Sequence, residues 1–288
     1  MRIAILTLDS LFSAVGIHEF VSQHAHEVVL LGASRRFGGK SGSFVKQLCH
    51  NLRRTGWRFT VYNGLHLVVF YPLLWLTDVV NRFLGRPKAV YSVEQVSRKY
   101  KIPLVHISDI NSRDFVEKLR SLELDLIVLA YFDQIAKSSV IETVPPGRLL
   151  NVHPGLLPAR RGPFPTFWAL VKGDATIGAT IHAVVDERID VGPILCREEI
   201  PVPREMSLVE MDCLVFRHAA RLLSRVVENV RTEQATFEPQ TGGGYDTYPT
   251  PADVSLFRRR GNRLWNFRKY LSQFTRPAES TDGISDLP

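Results

Sequence analysis

Cysteine is scarce in this chain. There are three in 288 residues, Cys49, Cys196 and Cys213. Their odd number and the absence of a Cys-x-x-Cys pair argue for a reducing compartment and against a thiolate metal site. The nine histidines are scattered and form no compact ligand set, so no metal is expected. A secretory signal is also missing. The apolar run from Met1 to Thr7 is too short, Asp9 interrupts it, and no small-residue cleavage site follows cleanly. That run reads instead as the first buried strand of a parallel sheet, and a cytoplasmic location is expected. No internal repeat is visible. No apolar stretch reaches the 20 or so residues of a membrane span. The longest candidate, Val61 to Leu84, is interrupted by Asn63, His66, Pro72 and Asp78. Acidic residues are the minority charge: 29 Asp and Glu against 36 Lys and Arg, a net +7. That excess favours anionic partners: polyanionic small molecules, nucleotide-linked substrates, nucleic acid or an acidic membrane surface. Otherwise the composition, 45% hydrophobic and 23% charged, is that of an ordinary globular protein.

What is present is a rhythm of strands and helices. Apolar runs at Ile3–Leu6, Glu27–Leu31, Leu104–Ile107, Asp125–Ala130, Leu149–His153 and Ala179–Val185 read as strands. Helical patterns cover Leu11–His24, Val93–Tyr100, Asp114–Leu122 and Phe167–Lys172. This alternation predicts an α/β fold: a Rossmann-like, mostly parallel sheet with helices on both faces. After Pro203, apolar residues at helical spacing predict a long helix over Leu208–Val230. Ser207 is its cap and Glu210, three residues on, completes a capping box. The chain thus divides into a main α/β domain over residues 1–205 and a C-terminal helix with a basic extension over 206–288.

Residues 35–90 break the rhythm and are read as an insertion. Arg35-Arg36-Phe37-Gly38-Gly39-Lys40-Ser41 approaches a phosphate-loop pattern, but that pattern needs glycine at position 34, which is Ser34. A flexible basic loop is expected there. The Val61–Leu84 run is expected to form two helices broken near Pro72. They pack on the sheet, form a dimer contact or rest on a membrane surface, since Arg53, Arg54, Arg58, Arg82, Arg86 and Lys88 flank them. Tyr248-Pro249-Thr250-Pro251 reads as an ordered turn or edge. Arg258-Arg259-Arg260 with Trp265 and Phe267 reads as a solvated helix face with the aromatics turned inward, rather than a nucleic-acid site. Residues 277–288 are polar and expected to be disordered.

The chemistry concentrates in Asn151-Val152-His153-Pro154-Gly155-Leu156-Leu157-Pro158, with Asp190 downstream in Ile189-Asp190-Val191-Gly192-Pro193. In an extended segment, residues i and i+2 share a face. A residue before proline is pushed toward extended angles. Asn151 and His153 should therefore project side by side, at the carboxyl end of a strand, where α/β folds place their sites. An amide can donate to a developing oxyanion, and an imidazole carries a proton near neutral pH. Taken alone, His153 also suits a hydrogen-bonded structural histidine.

These motifs resemble the folate-dependent formyltransferases. The resemblance runs from Leu124–Ala130, through Asn151–Pro158 and Arg161-Gly162, to Gly178–His182 and Asp190-Val191-Gly192, about 80 contiguous residues in order. One departure is Gly155, where many members carry serine. The resemblance implies 10-formyltetrahydrofolate as co-substrate and an N-formyltransferase activity in one-carbon metabolism. It implies that Asn151 stabilises the oxyanion, that His153 carries the proton, and that Asp190 orients His153 or a water. It further implies a folate site formed by Ala130, Leu156, Leu157, Pro158, His182, Val185, Asp186 and Glu187. Asp186 and Glu187 lie in a loop expected near the pterin ring. Solvated surface carboxylates are the competing reading for those two, and a buried backbone-bonded histidine for His182.

The acceptor follows by exclusion. Methionyl-tRNA formyltransferases carry a C-terminal β-barrel for tRNA, and the segment after the long helix here lacks several alternating strands. Glycinamide ribonucleotide formyltransferases place a glycine-rich loop after the first strand, where this chain has Thr7-Leu8-Asp9-Ser10-Leu11-Phe12. Formyltetrahydrofolate hydrolases carry a regulatory domain before this one. A small or nucleotide-linked amino sugar is the expected acceptor, with tRNA and hydrolysis as alternatives. A non-enzymatic reading, a membrane- or partner-binding protein keeping the fold, stands beside them. Oligomeric state is left open.

Overall fold

Five parallel strands form the centre of the computed structural model, which describes residues 1–34 and 44–275. They are β1 (Ile3–Thr7), β2 (Val28–Ser34), β3 (Leu104–Ile107), β4 (Leu126–Ala130) and β5 (Leu149–His153). β1 and β4 are buried on both faces, which is why they read as unbroken apolar runs. A short β6 (Arg160–Arg161) lies outside the sheet. Two antiparallel strands, β7 (Thr176–Ala183) and β8 (Ile194–Pro201), extend it past β5, giving the order β3-β2-β1-β4-β5-β7-β8. β7 therefore starts and ends earlier than the sequence suggests, and β8 is a further strand. Its exposed Arg197, Glu199 and Pro201 and partly exposed Glu198 hide the strand from an apolar-run reading.

Alternate residues of each strand feed two separate cores. Ile3 and Ile5 join Leu11, Phe12, Leu126 and Val128 on one face. Ala4 and Leu6 join Leu30, Ile107, Ile127 and Leu129 on the other. The first face is covered by α1 (Leu11–His24) and by the later, long helix Leu208–Arg231. Ser10 and Ser13 cap α1 reciprocally. The backbone N–H of Ser207 donates to Glu210 Oε2 at 3.0 Å, the expected capping box of the long helix.

The insertion folds as α2 (Phe44–Gly64), a single wide π turn over Leu65–Val69 and α3 (Phe70–Phe83). The expected break near Pro72 is not there. The chain stays helical through Pro72, which is the third residue of α3 and follows the π turn that ends at Val69. A wider turn of this kind relieves the crowding that a proline ring brings to a regular helix. The break lies at Gly56, whose φ of 76° and ψ of 166° are open to glycine and hostile to other residues. Phe59, Tyr62, Phe70 and Leu74 are buried in the first core, as the packing reading required.

The remaining helices are α4 (Val93–Tyr100), α5 (Arg113–Ser121), α6 (Ser138–Ile141), α7 (Pro165–Lys172), α8 (Leu208–Arg231), α9 (Pro251–Arg259) and α10 (Phe267–Thr275), with β9 (Gly244–Tyr245) pairing to β6. The expected turn at Tyr248–Pro251 leads into α9, which Thr250 caps. Of the basic-aromatic stretch, Tyr270 and Phe274 point inward, whereas Phe267, expected inside, is 57% exposed. The basic loop Arg35–Ser41 and the tail 277–288 lie outside the described residues.

Candidate active site

β5 ends in Asn151 and His153, two residues apart on one face. β7 runs antiparallel beside it, and the register sets His182 opposite Asn151 and Thr180 opposite His153. Pairing across the strands thus puts two imidazoles and an amide on one patch. Asp190 reaches them from the loop between β7 and β8. It adopts the left-handed conformation, with φ of 55°, which short polar side chains tolerate better than most. Its Oδ2 accepts the Gly162 N–H at 2.8 Å, so the carboxylate is tied to the loop after β6.

Asp190 Oδ1 is the hub. It accepts from Asn151 Nδ2 at 3.3 Å and lies 3.5 Å from both His153 Nδ1 and His182 Nε2. Asn151 Nδ2 also donates to His182 Nε2 at 3.0 Å, while His182 Nδ1 donates to the Ala183 carbonyl at 3.1 Å. Both amide hydrogens of Asn151 are therefore engaged. His153 Nε2 donates to the Arg160 carbonyl at 2.7 Å. That bond places the proton on Nε2 and leaves the Nδ1 lone pair facing the carboxylate side of the site. Burial, the largest influence, lowers the His153 pKa below its ordinary 6.5, against the opposing pull of Asp190 and the Arg160 carbonyl. Burial would raise the Asp190 carboxyl, but His153, His182 and the Gly162 N–H outweigh it and hold the carboxyl well below the usual range. Near pH 7 the site is a neutral imidazole beside a carboxylate.

The loop after β5 is pinned from β7. The Thr180 hydroxyl donates to the Gly155 carbonyl at 2.7 Å and accepts the Leu157 N–H at 3.1 Å. Glycine at 155 has a local cause: a Cβ there would lie 2.4 Å from Pro165 Cβ and 2.9 Å from His153 Nε2. Pro165, the first residue of α7, occupies the space that a side chain would need.

These groups open into a cavity of about 960 Å³. Asn151, His153, His182 and Asp190 line it, together with Asp186 and Glu187. Ala130, Leu156, Leu157, Pro158 and Val185 do not border it. Leu157 is turned inward by its bond to Thr180, Val185 faces solvent at 48% exposure, and Val184 lines the cavity in its place. Two further walls went unmarked in the sequence. One is the loop from Tyr131 to Ala136, directly beyond β4. The rule that sites lie past the carboxyl ends of strands pointed there. The other is aromatic, built by Phe12, Tyr62, Phe216 and Tyr248 with Asp212 among them. No local signal marks it, because its members come from α1, α2, α8 and the turn before α9. Among the described residues no cluster of three or more His, Cys, Asp or Glu has metal-binding geometry.

Residues 84–227 match the family described as formyl transferase. The chain is 36% identical over 172 residues to the methionyl-tRNA formyltransferase of Syntrophus aciditrophicus (strain SB), covering 59% of this chain and 54% of that one. It is 31% identical over 200 residues to the human mitochondrial methionyl-tRNA formyltransferase, covering 64% and 49%. The aligned part thus spans about half the length of these curated relatives. Among solved structures, it is similar to the N-formyltransferase of Helicobacter canadensis, in complex with folinic acid and dTDP-3-aminofucose (TM-score 0.59, 13% identity, 94% of this chain and 82% of that one). It is also similar to glycinamide ribonucleotide transformylase 1 of Symbiobacterium toebii (TM-score 0.55, 17% identity, 84% and 94%). At these identities the structural likeness carries the fold alone, the mostly parallel sheet flanked by helices. With half of its length matched to the family and the Asn151-x-His153 strand end inside that match, the chain belongs to the formyl transferase family.

Proposed function

We propose that the protein transfers a formyl group to a primary amine, using 10-formyltetrahydrofolate as the donor. The observation that carries this reading is the meeting of Asn151, His153, His182 and Asp190 at one end of a single large cavity. Its size lies in the range of pockets that enclose drug-sized ligands. Two loops that line the cavity, Tyr131–Ala136 and Asp186–Asp190, are the proposed contacts of the pterin ring. Two formyltransferases of similar fold were solved with folinic acid and with 5-N-formyl-THF present.

The folate supplies the formyl group, and the chain supplies charge stabilisation and proton transfer. His153 Nδ1, unprotonated, takes the proton that the attacking amine loses as nitrogen bonds to the formyl carbon. Asp190, 3.5 Å away, stabilises the imidazolium that results. Asn151 turns one amide hydrogen from Asp190 or His182 onto the formyl oxygen as negative charge builds there, a contact worth about 3–4 kcal/mol of barrier. The imidazolium then returns the proton to the departing folate nitrogen. His182 holds the Asn151 amide in register. No covalent enzyme intermediate is required.

A small acceptor with a planar or apolar body suits the aromatic wall of Phe12, Tyr62, Phe216 and Tyr248. A nucleotide-linked amino sugar is one such molecule. Methionyl-tRNA is the second reading, favoured by the identity to methionyl-tRNA formyltransferases. The test begins with calorimetric titration of 5-formyltetrahydrofolate, followed by formylation assays on both acceptor classes. Asn151→Ala, His153→Ala and Asp190→Ala are each expected to lower turnover by about 10²-fold or more while leaving the fold intact. Near-wild-type turnover in folded variants would sink the assignment. RNA binding with a steep salt dependence would favour the tRNA reading.

A further inference from the structure

The insertion wears its apolar residues on both sides. Its inner side packs into the core through Phe59, Tyr62, Phe70 and Leu74. Its outer side should then be polar, as on an ordinary surface helix. On α3 it is not. Phe83 is 89% exposed and Trp75 68%, with Tyr71, Leu76 and Val79 close to half exposed beside them. Their spacing, at 71, 75, 76, 79 and 83, sets them along one arc of the helix. Arg82 is the charged residue on that arc. Trp57 and Val61 extend the apolar surface back along the helix after the Gly56 break. A continuous apolar surface of this kind marks an interaction site.

The charges around it select the partner. From residue 44 to 88 the sequence holds seven Lys and Arg: Lys46, Arg53, Arg54, Arg58, Arg82, Arg86 and Lys88. It holds one acid, Asp78, and Lys88 pairs with it. Lys46 lines the cavity and Arg54 lies over Tyr248, away from this face. Arg58, however, lies over Trp57, and Arg82 and Arg86 are exposed around α3, so the face is apolar with a positive rim and its counterpart is apolar with negative charge. A second copy of the chain is a poor fit, because two such rims would repel. An anionic bilayer fits on both counts. Trp57, Tyr71 and Trp75 are the amphipathic aromatics that settle at headgroup level, and arginines at the edges meet the phosphates.

Over Val45–Phe83 the helical segment is, by length and composition, long and apolar enough to cross a membrane. It cannot span and keep its fold. The Gly56 break interrupts the rod, and the inner face is committed to the core and the cavity wall. Lying in the plane of the interface satisfies both faces at once. We propose that the outer face of the α2–α3 insertion docks this protein on the surface of an anionic lipid bilayer, with Trp75 and Phe83 entering the headgroup boundary.

The proposal stands apart from the catalytic reading and is tested without turnover. Purified protein is sedimented with vesicles of phosphatidylcholine alone and of phosphatidylcholine mixed with phosphatidylglycerol, at low and high salt. Wild type is expected to bind the anionic vesicles at least about tenfold more tightly, with binding weakened by salt. The double variant Trp75→Asp/Phe83→Asp is expected to lose binding about tenfold or more. Arg82→Glu is expected to lose roughly fivefold or more. Both positions of the double variant are largely exposed, so its fold and its 5-formyltetrahydrofolate titration should match wild type, which separates this result from failure of the donor reading. Wild-type protein that stays in solution with anionic vesicles would overturn the proposal. So would binding that the double variant leaves unchanged. A dimer in light scattering that the double variant dissociates, without vesicle binding, would assign the face to a second copy instead.

Discussion

Asp212 gives the sharpest stability test, because it is a carboxyl in the first core that also borders the cavity. It sits on α8, 7% exposed, and accepts a hydrogen bond from the Tyr62 hydroxyl. Burial raises its pKa from 3.8 to about 7, with the Tyr62 bond pulling in the other direction. The folded protein therefore holds a proton on Asp212 where the unfolded chain has lost it. Stability from this side chain is full below pH 3.8 and is lost as pH rises through about 7. At 1.36 kcal/mol per pKa unit, the loss reaches about 4 kcal/mol. Asp212→Asn keeps an acceptor for Tyr62 and never ionises. Urea unfolding of wild type and variant should agree near pH 4, and the variant should gain steadily to about 4 kcal/mol above pH 8. A gap that does not change with pH, or a variant weaker in alkali, would refute the argument that the buried carboxyl costs stability by ionising.

Two further expectations concern the polar end of the cavity. His153 acts as a base only when neutral, and its pKa lies below 6.5, so turnover should be flat near neutrality with an acid limb below that value. Asp190 raises the His153 pKa; Asp190→Asn should move the acid limb to still lower pH while reducing the plateau, and an unmoved limb in a pH–rate profile would break the link between them. Gly155→Ser should cost about 1–3 kcal/mol by overpacking against Pro165, and the pair Gly155→Ser/Pro165→Gly should recover part of that loss. Strict additivity in thermal unfolding would show that Pro165 is not the obstacle.

The parts of this fold that were legible in the sequence are those in which local pattern and tertiary burial agree. β1, β4 and β5 are buried strands, and their apolar runs mark them directly. The Ser207–Glu210 box and the i, i+2 placement of Asn151 and His153 are likewise local facts. β8 escaped because an edge-side antiparallel strand carries water-facing charges at Arg197 and Glu199, while Glu198 between them turns to His218 and Arg225 on α8. The break at Gly56 escaped for a different reason. Proline is the stronger helix breaker on average, but a π turn accommodates Pro72, while Gly56 adopts angles that the sequence does not announce.

The site divides along the same line. Its polar half is written in neighbouring strands and one loop, so the motifs named Asn151, His153, Asp190 and, as an ambiguous member, His182, and strand pairing sets His182 opposite Asn151. Its aromatic half is assembled from Phe12, Tyr62, Phe216 and Tyr248, up to 236 residues apart, and only the folded chain reveals it. That asymmetry bears on function. The polar half is what the family match covers, residues 84–227. Of the aromatic half, Phe12 and Tyr62 lie before that segment and Tyr248 after it, while Phe216 lies within it. Chemistry shared across the family therefore sits in the matched half of the cavity. On the proposed reading, the aromatic wall, which draws Phe12, Tyr62 and Tyr248 from outside the match, would set the acceptor. Variants there, such as Tyr248→Ala, should change which amine is used before they change how fast the formyl group moves. A donor-binding constant left intact alongside an altered acceptor preference is the result that would establish this division.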